Sequence, residues 1–361
     1  MEALTLYRRE NGIFTWGIGL NCHDNRSGKG VELVIMKELE IRCNSYWESA
    51  EPLITVITPV YNRRATIQRT MDSVEAQTFR SIEYIIIDDG SSEAIDDIVD
   101  TYMQMSKLPV MFIKKENGGV HTARNIGFRK ARGTLVLNID SDDELLPEAC
   151  DVFWNTWTSI PIHIRKECGQ IKAQCKNQNG IITGAVFPEG INEWPIEKAR
   201  KHFSLSAGEQ HGCRSAAIMK SNLFPEPDGV TFVTENIIWV PMEQKYRSWG
   251  INDVVRIYHT EGDDHISTSL NATRRKVTLQ DCRNTYWNVT YMANHAEIFV
   301  PDFYAYIKRI VRSCEMAHIL RVTDRGFLEK NKLEGGRNCF WKTVLWLPAG
   351  ILAAIYRKRN M

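Results

Sequence analysis

No CxxC pair occurs in this sequence, although it carries nine cysteines, at 22, 43, 150, 168, 175, 213, 282, 314 and 339. A zinc ribbon or thioredoxin-type site is therefore excluded, and the thiols read as reduced and mostly buried in a cytosolic protein. No GxxxxGK[ST] loop is present, which excludes a P-loop NTPase, and no GxGxxG follows the first buried strand, which speaks against a dinucleotide oxidoreductase. The N-terminal MEALTLYRRENG has no apolar h-region, so a Sec signal is not expected. The sequons Asn271-Ala-Thr273 and Asn288-Val-Thr290 then read as chance. Net charge is almost lacking too: 45 Lys and Arg face 44 Asp and Glu. Proteins held to nucleic acid by bulk charge neutralise many phosphates, so nucleic acid is not an expected partner. Repeats and low-complexity segments are absent. With 43% hydrophobic and 25% charged residues, the 361-residue chain is an ordinary globular sequence, not a disordered one. Its length suits about two domains, or one large domain with attachments.

What is present has a clear order. Residues 1–50 hold a β-rich run (Ile13–Leu20), a turn-rich break and a second apolar run (Val31–Ile41), which suggests a hairpin or two short strands. From Pro52 the texture changes. Leu53–Val60 and Ile82–Ile87 are continuous β-branched runs, as buried parallel strands require. Val110–Lys114 and Thr134–Ile139 read as two more strands. Helical spacing lies between them, in Arg64–Gln77, Ala94–Met105 and Thr122–Ala131. This βαβαβαβ alternation predicts a doubly wound, mostly parallel α/β sheet flanked by helices. Ligands then belong at the carboxyl ends of the strands. Residues 151–270 are less regular, and 271–361 read as a helical C-terminal extension.

Three polar clusters fall at those strand ends. Asn138-Ile-Asp140-Ser-Asp142-Asp143-Glu144 crowds carboxylates that repel one another unless a cation compensates. Oxygen ligands of this kind suit Mg²⁺ or Mn²⁺, and the alternative is a solvated N-capping turn. Asp88-Asp89-Gly90-Ser91-Ser92 offers an acceptor for a base N–H or a ribose hydroxyl, or else a helix N-cap. In Asn117-Gly118-Gly119-Val-His121-Thr-Ala123-Arg124-Asn125, the glycines permit close backbone approach to a ligand. Arg124 suits a phosphate or an acidic partner. The alternative is an ordinary turn into a helix.

Taken in order, ITPVYN (Ile57–Asn62), SVEAQTF (Ser73–Phe79), EYIIIDDGSS (Glu83–Ser92), NGGVHTARNIGFRKARG (Asn117–Gly133) and NIDSDDELLPEA (Asn138–Ala149) resemble the family 2 glycosyltransferases of GT-A fold. The likeness is dense over 52–150 and fades toward 265. It implies an inverting, metal-dependent transfer of a sugar from a nucleotide-diphosphate sugar, with UDP the favoured nucleotide. By position, Pro59, Tyr61 and Asn62 would line the nucleoside pocket. Asp89 would contact the base with support from Asp88, and Gly118 and Arg124 would hold the nucleotide side. Asp140-Ser-Asp142 matches the D-x-D motif: Asp142 would hold the divalent metal and Asp140 the ribose or metal. Asp143 stands beside them, and His259 is a further candidate metal ligand. The resemblance divides the chain into a β-rich extension (1–50), a nucleotide-sugar half (51–150), an acceptor half (151–270) and the C-terminal extension (271–361).

An inverting enzyme needs a carboxylate base at the acceptor hydroxyl. The matching stretch is Thr234-Glu235-Asn236, where Asn replaces the expected Asp, and an amide cannot accept the proton. Glu235 is therefore the candidate base, with Glu209, Asp228 and Asp253 as alternatives. His265 and His211 are weaker candidates, the latter facing the acceptor. The apolar run Val344–Tyr356 has thirteen residues, short of the ~20 that span a bilayer. From residue 301 onward twelve Lys and Arg face five Asp and Glu, and Arg357-Lys358-Arg359 follow the apolar run directly. Peripheral contact with the inner face of the cell membrane is expected, alongside a glycan or lipid-linked acceptor. Docking of the tail on the core or on a second subunit is the alternative, so a homodimer stays open. The resemblance places the enzyme in bacterial surface polysaccharide synthesis. The rival classes are a catalytically degenerate sugar- or nucleotide-binding scaffold and a nucleotidyltransferase, for which Arg63-Arg64 is a faint phosphate-loop candidate.

Overall fold

A computed structural model describes residues 4–10, 13–19, 39–183, 186–187, 193–194, 209–259, 278–299, 303–332, 341, 344–346 and 349. The first part contains β1 (Leu4–Glu10), β2 (Ile13–Gly19), β3 (Glu40–Cys43), β4 (Ile54–Val60), α1 (Ile67–Glu75), β5 (Ile82–Asp88), α2 (Asp96–Met105), β6 (Val110–Lys114), α3 (Val120–Lys130) and β7 (Leu135–Asn138). Then come β8 (Glu144–Leu145), α4 (Ala149–Ser159), α5 (Ile162–Arg165), β9 (Cys168–Asn177), β10 (Ile182–Thr183), β11 (Glu193–Trp194), β12 (Gln210–Ser215), α6 (Ala216–Ser221), α7 (Asn236–Lys245) and β13 (Arg247–Tyr258). Four helices close the described chain: α8 (Leu279–Asn294), α9 (Ala296–Phe299), α10 (Phe303–Thr323) and α11 (Arg325–Lys330).

The strands form one mixed sheet in the order β1-β2-β3-β6-β5-β4-β7-β12-β9-β13-β11, with β10 on β9 and β8 on β13. Its centre, β6-β5-β4-β7, is parallel. Helices α1, α2 and α3 make the crossovers that parallel pairing requires. β4 pairs with β5 on one side and β7 on the other, so the strand order reverses there. A ligand crevice belongs at that switch point. The first two strands form a hairpin with Glu10 opposite Ile13, so Ile13–Gly19 turns back on the preceding Leu4–Glu10 rather than only on the run that follows it. It also pairs with β3 through Phe14 and Thr15. Of the apolar run Val31–Ile41, residues 31–38 lie outside the described residues.

Both faces of the centre are covered, which explains why its strands are apolar throughout. Ile54, Val56, Tyr84, Ile86, Val110 and Phe112 face Met71, Val99 and Phe153 of α1, α2 and α4. Ile57, Ile85, Ile87, Met111 and Ile113 face the other layer, with Phe128 of α3, Ile237 of α7 and Tyr286 of α8. Each such side chain contributes roughly 1.5–3 kcal/mol on burial. Pro59 is tolerated in the central strand for a specific reason. Ile57 O accepts from Ile139 N, so Pro59, two residues on, faces β7 beyond its last paired residue. No ladder donor is lost there.

Glu83 interrupts the apolar run of β5 while fully buried. It accepts from Thr55 Oγ1 at 2.6 Å and from Arg132 N and Nε, both at 2.7 Å, so it locks the turn between α3 and β7. The helical extension does comparable work near residues 229–234. Asn284 Oδ1 accepts from Thr231 N at 2.9 Å, and Asn288 Oδ1 from Thr234 N at 2.9 Å. Asn288 is 8% exposed, so its sequon is engaged inside the fold. All seven described cysteines are free thiols, and six are buried.

Part of the apolar tail is described. Trp341, Leu345, Trp346 and Ala349 pack with Tyr306, Ile310 and Cys314 of α10. Trp346 stacks on His318 at 3.8 Å between centroids. Among the described residues no helix is long and apolar enough to cross a membrane. Residues 350–361 and His265 lie outside the described residues.

Candidate active site

The site forms where β4, β5 and β7 end. After β4, Asn62 takes a left-handed conformation (φ 51°), which asparagine tolerates better than most residues. Its Oδ1 accepts from Ser92 N at 2.8 Å and Ser92 Oγ at 3.0 Å, and its own N–H donates to Ser91 Oγ at 2.9 Å. The β4 and β5 loops are thus laced together. Tyr61 beside them is 49% exposed, and Pro59 is buried within β4. Asp88 accepts from Ser91 N at 3.0 Å and closes the Gly90 turn. Asp89 is buried: Gly118 N donates to it at 3.0 Å, Gly119 N at 2.7 Å, and Lys115 Nζ pairs with it. The carboxylate expected to reach a base therefore organises the Gly118-Gly119 turn. The close approach that Gly119 permits is to protein. At φ 95° a Cβ there would lie 1.9 Å from Thr231 O. That packs the start of α3 against the segment leading to Glu235.

The acidic loop after β7 is held from two sides. From the α1 side, Thr66 Oγ1 donates to Ser141 O at 2.9 Å and Thr70 Oγ1 to Asp143 O at 2.8 Å. From the other side β8 pairs with β13, which sets Arg256 opposite Leu145. Arg256 is buried and forms an ion pair with Asp143, whose other oxygen accepts from His259 N at 2.9 Å. Burial works against the Arg256 charge, but Asp143 and Asp140 outweigh it and raise its pKa. Asp143, expected beside Asp140 and Asp142 as a metal ligand, thus has both oxygens engaged by protein. His259 contacts Glu144 Oε1 through Nε2 at 2.7 Å, while its buried Nδ1 has no protein partner.

Asp140 and Asp142 have side chains 43% and 19% exposed, and Glu144, held by His259, is 30% exposed. Arg63 Nε stands 3.5 Å from Asp142. Arg124, at the first turns of α3 and 6% exposed, reaches two acids at once. Its Nη2 donates to Asp140 Oδ1 at 2.9 Å, and its Nη1 pairs with Glu235 Oε1. Glu235 stands immediately before α7, and its Oε2 accepts from Trp239 Nε1 at 2.9 Å, one helical turn on. Burial pushes the Glu235 carboxyl up, but Arg124, the Trp239 hydrogen bond and Arg214 outweigh it and hold it below its ordinary value. Asp140 is lowered the same way: burial raises it, and Arg124 and Arg256 prevail. The Glu235 side chain remains 48% exposed, so its free lone pairs face solvent.

Of the alternative bases, Glu209 belongs to the same electrostatic group. Burial, and then the nearby Asp140 and Glu235, raise its pKa despite Arg256. Asp228 and Asp253 are exposed. His211 is buried on β12, with Nδ1 3.3 Å from Arg256 Nη1, and burial holds it well below the usual histidine value. Arg256, Trp239 and Arg214 were not legible as site residues, and Arg63 was read only as a faint phosphate-loop candidate. Arg256 did leave a trace, as a charge inside the apolar strand run VVRIY, and Trp239 stands at the i,i+4 spacing from Glu235.

Asp140 and Asp142 fit a hard divalent cation by donor type, since both offer carboxylate oxygens that solvent reaches. Among the described residues no group of three or more His, Cys, Asp or Glu stands ready as a complete metal site.

A parallel sheet with an acidic loop and a second carboxylate at its switch point is the arrangement of a GT-A glycosyltransferase. The family signature Glycosyl transferase family 2 matches residues 55–224. An uncharacterized glycosyltransferase of Haemophilus influenzae is 36% identical over 265 residues, which cover 68% of this chain and 85% of that protein. The chain belongs to glycosyl transferase family 2. A glycosyltransferase of Rickettsia bellii is 25% identical over 67% of this chain and 34% of its own length. The chain spans about a third or less of the length of several relatives it matches. In fold it is similar to S. aureus TarS in complex with UDP-GlcNAc, with TM-score 0.50 and 20% identity over 83% of this chain and 81% of that one.

The Asp143–Arg256 pair generates a prediction. Asp143→Ala leaves the buried Arg256 guanidinium with only the longer 3.5 Å ion pair to Asp140 and should cost about 3–5 kcal/mol of stability. Urea unfolding checks this, and a loss below ~1 kcal/mol would show that the pair does not hold the loop.

Proposed function

We propose that this protein transfers a sugar, with inversion, from a nucleotide-diphosphate sugar to a hydroxyl of a glycan or lipid-linked acceptor. The observation that carries the reading is the Arg124 bridge, which sets the donor-side Asp140 and the candidate base Glu235 on one guanidinium. In this reading Pro59, Tyr61 and Asn62 line the nucleoside side. Asp88, Asp89 and Gly118 shape that pocket's wall, and Asp140 and Asp142 hold Mn²⁺ or Mg²⁺. Asp143 holds the loop through Arg256, and His259 steadies it through Glu144. The UDP-GlcNAc bound in the TarS structure supports a UDP-sugar donor. A divalent ion bound there would neutralise charge on the departing diphosphate.

Glu235 removes the acceptor proton as the acceptor oxygen attacks the anomeric carbon. The bond from that carbon to the diphosphate oxygen breaks, and its electron pair leaves with the nucleotide. Arg124 keeps Glu235 ionised and orients it, and Trp239 fixes its second oxygen. Attack opposite the leaving group inverts the anomeric centre. Placement on the inner face of the cell membrane, through the apolar and basic tail, fits a lipid-linked acceptor and surface polysaccharide synthesis. One observation favours a second reading: Asn236 stands where the family's base is expected. A scaffold would bind donor without releasing nucleotide.

Mn²⁺-supported release of UDP from a panel of UDP-sugars tests the reading. Asp142→Ala should abolish release while the fold is retained, and full activity would sink the metal assignment. Glu235→Gln should keep donor binding in a thermal-shift assay and lose transfer by about 10²–10⁴-fold. Retained transfer would move the base to Glu209. A base must be deprotonated to act, and Glu235 lies below its ordinary value, so activity should persist as pH falls to that range. Arg124→Gln removes the main force lowering it, and the acid limb of kcat/KM should move to higher pH. An unmoved limb would separate Arg124 from the base.

A further inference from the structure

Arg214 of β12 is a cation among groups already paired with others. Its side chain folds back along its own strand, where a Cβ on Gly212 would meet the guanidinium at 3.1–3.4 Å. Gly212 thus provides the floor. The Trp239 ring provides the opposite wall, with Arg214 Cζ 3.7 Å from its centroid. Nη1 donates to Gly212 O at 3.2 Å, and among the described residues the buried Nε has no hydrogen-bond partner. Among the described residues no carboxylate pairs with Arg214. The two nearby acids are engaged elsewhere. Glu243 is taken by Lys172 at 2.6 Å and Gln170 at 3.2 Å, and Glu235 by Arg124 and Trp239. Burial lowers the Arg214 pKa to about 10 against the pull of Glu235, a sign of how little compensates its charge. The residue is only half-buried, so part of it reaches solvent.

A partly desolvated guanidinium without a counter-ion carries a cost that an anionic ligand would relieve. The ring beneath it offers only a weak cation–π contact. The contacts run in the order Asp140, Arg124, Glu235, Trp239, Arg214. Asp140 belongs to the donor side, so Arg214 stands beyond the base, on the acceptor side. We propose that Arg214 is the anion-recognition residue of the acceptor subsite, taking a phosphate or carboxylate that the acceptor carries near its attacking hydroxyl. The inference rests on the glycosyltransferase reading. It makes the acceptor an acidic saccharide or a sugar phosphate rather than a neutral glycan.

The test uses the full chain saturated with UDP and titrated with glucose, glucose 6-phosphate and glucuronate by calorimetry. One of the two anionic sugars should bind about tenfold or more tighter than glucose, the scale of one charge-assisted hydrogen-bond pair. Which one binds separates phosphate from carboxylate. Arg214→Gln should remove that advantage, and Arg214→Lys should keep part of it, with UDP affinity equal in all three proteins. No preference for either anionic sugar in the wild type, or a preference that survives Arg214→Gln, overturns the proposal. So does a fall in UDP affinity in Arg214→Gln, which would assign the guanidinium to the donor's diphosphate. The titration reads Arg214 without turnover. Absence of UDP binding by the wild type would overturn the glycosyltransferase reading instead.

Discussion

One buried guanidinium sets the geometry of this site. Asp140, just after β7, and Glu235, just before α7, carry like charge, so without a cation between them they would repel or take up protons. Arg124 joins them, and it is fixed because α3 is fixed. The start of that helix is tied to Asp89 through two backbone N–H groups and lies against Thr231 at Gly119. The segment carrying Glu235 is tied in turn to α8 by Asn284 and Asn288. The C-terminal helices therefore bear on the candidate site by setting where Glu235 stands.

The acidic loop shows the same division between groups that hold and groups that are held. Four carboxylates in five residues would not fold as an isolated turn at low cost. Arg256 and the His259 N–H take up Asp143, and His259 takes up Glu144, leaving Asp140 and Asp142 toward solvent. A run of chemically similar acids is thereby sorted into members bound up by the second half of the sheet and members left facing the crevice. The sorting comes from β13, which is more than a hundred residues away in sequence at the His259 contact.

Much of the fold was legible because its signals are local. Both faces of β4 and β5 are covered, and an apolar run on both faces reads directly as a buried strand. The helices between them showed their spacing, and the polar clusters fell where parallel strands end. The resemblance to family 2 glycosyltransferases pointed to Glu235 despite Asn236, and the structure places that carboxylate on Arg124. Asp89 was legible as important but not in its contacts, since besides Lys115 its partners are backbone N–H groups, which have no residue code. Glu83 was hidden inside a strand that reads as apolar, and its partners Thr55 and Arg132 come from other elements.

The sequence by itself determined the element order between Leu53 and Ile139, the parallel centre of the sheet, the strand ends where polar residues gather, and the family. These follow from periodicity, composition and short motifs, which act over a few residues. Only the tertiary structure decided which acid meets which arginine, that Asp143 faces inward, and that Arg214 has no carboxylate partner among the described residues. Ion pairing depends on the inverse of distance through a low-dielectric interior. Those distances are set by strand register and helix packing between segments far apart in the chain, so no local pattern encodes them.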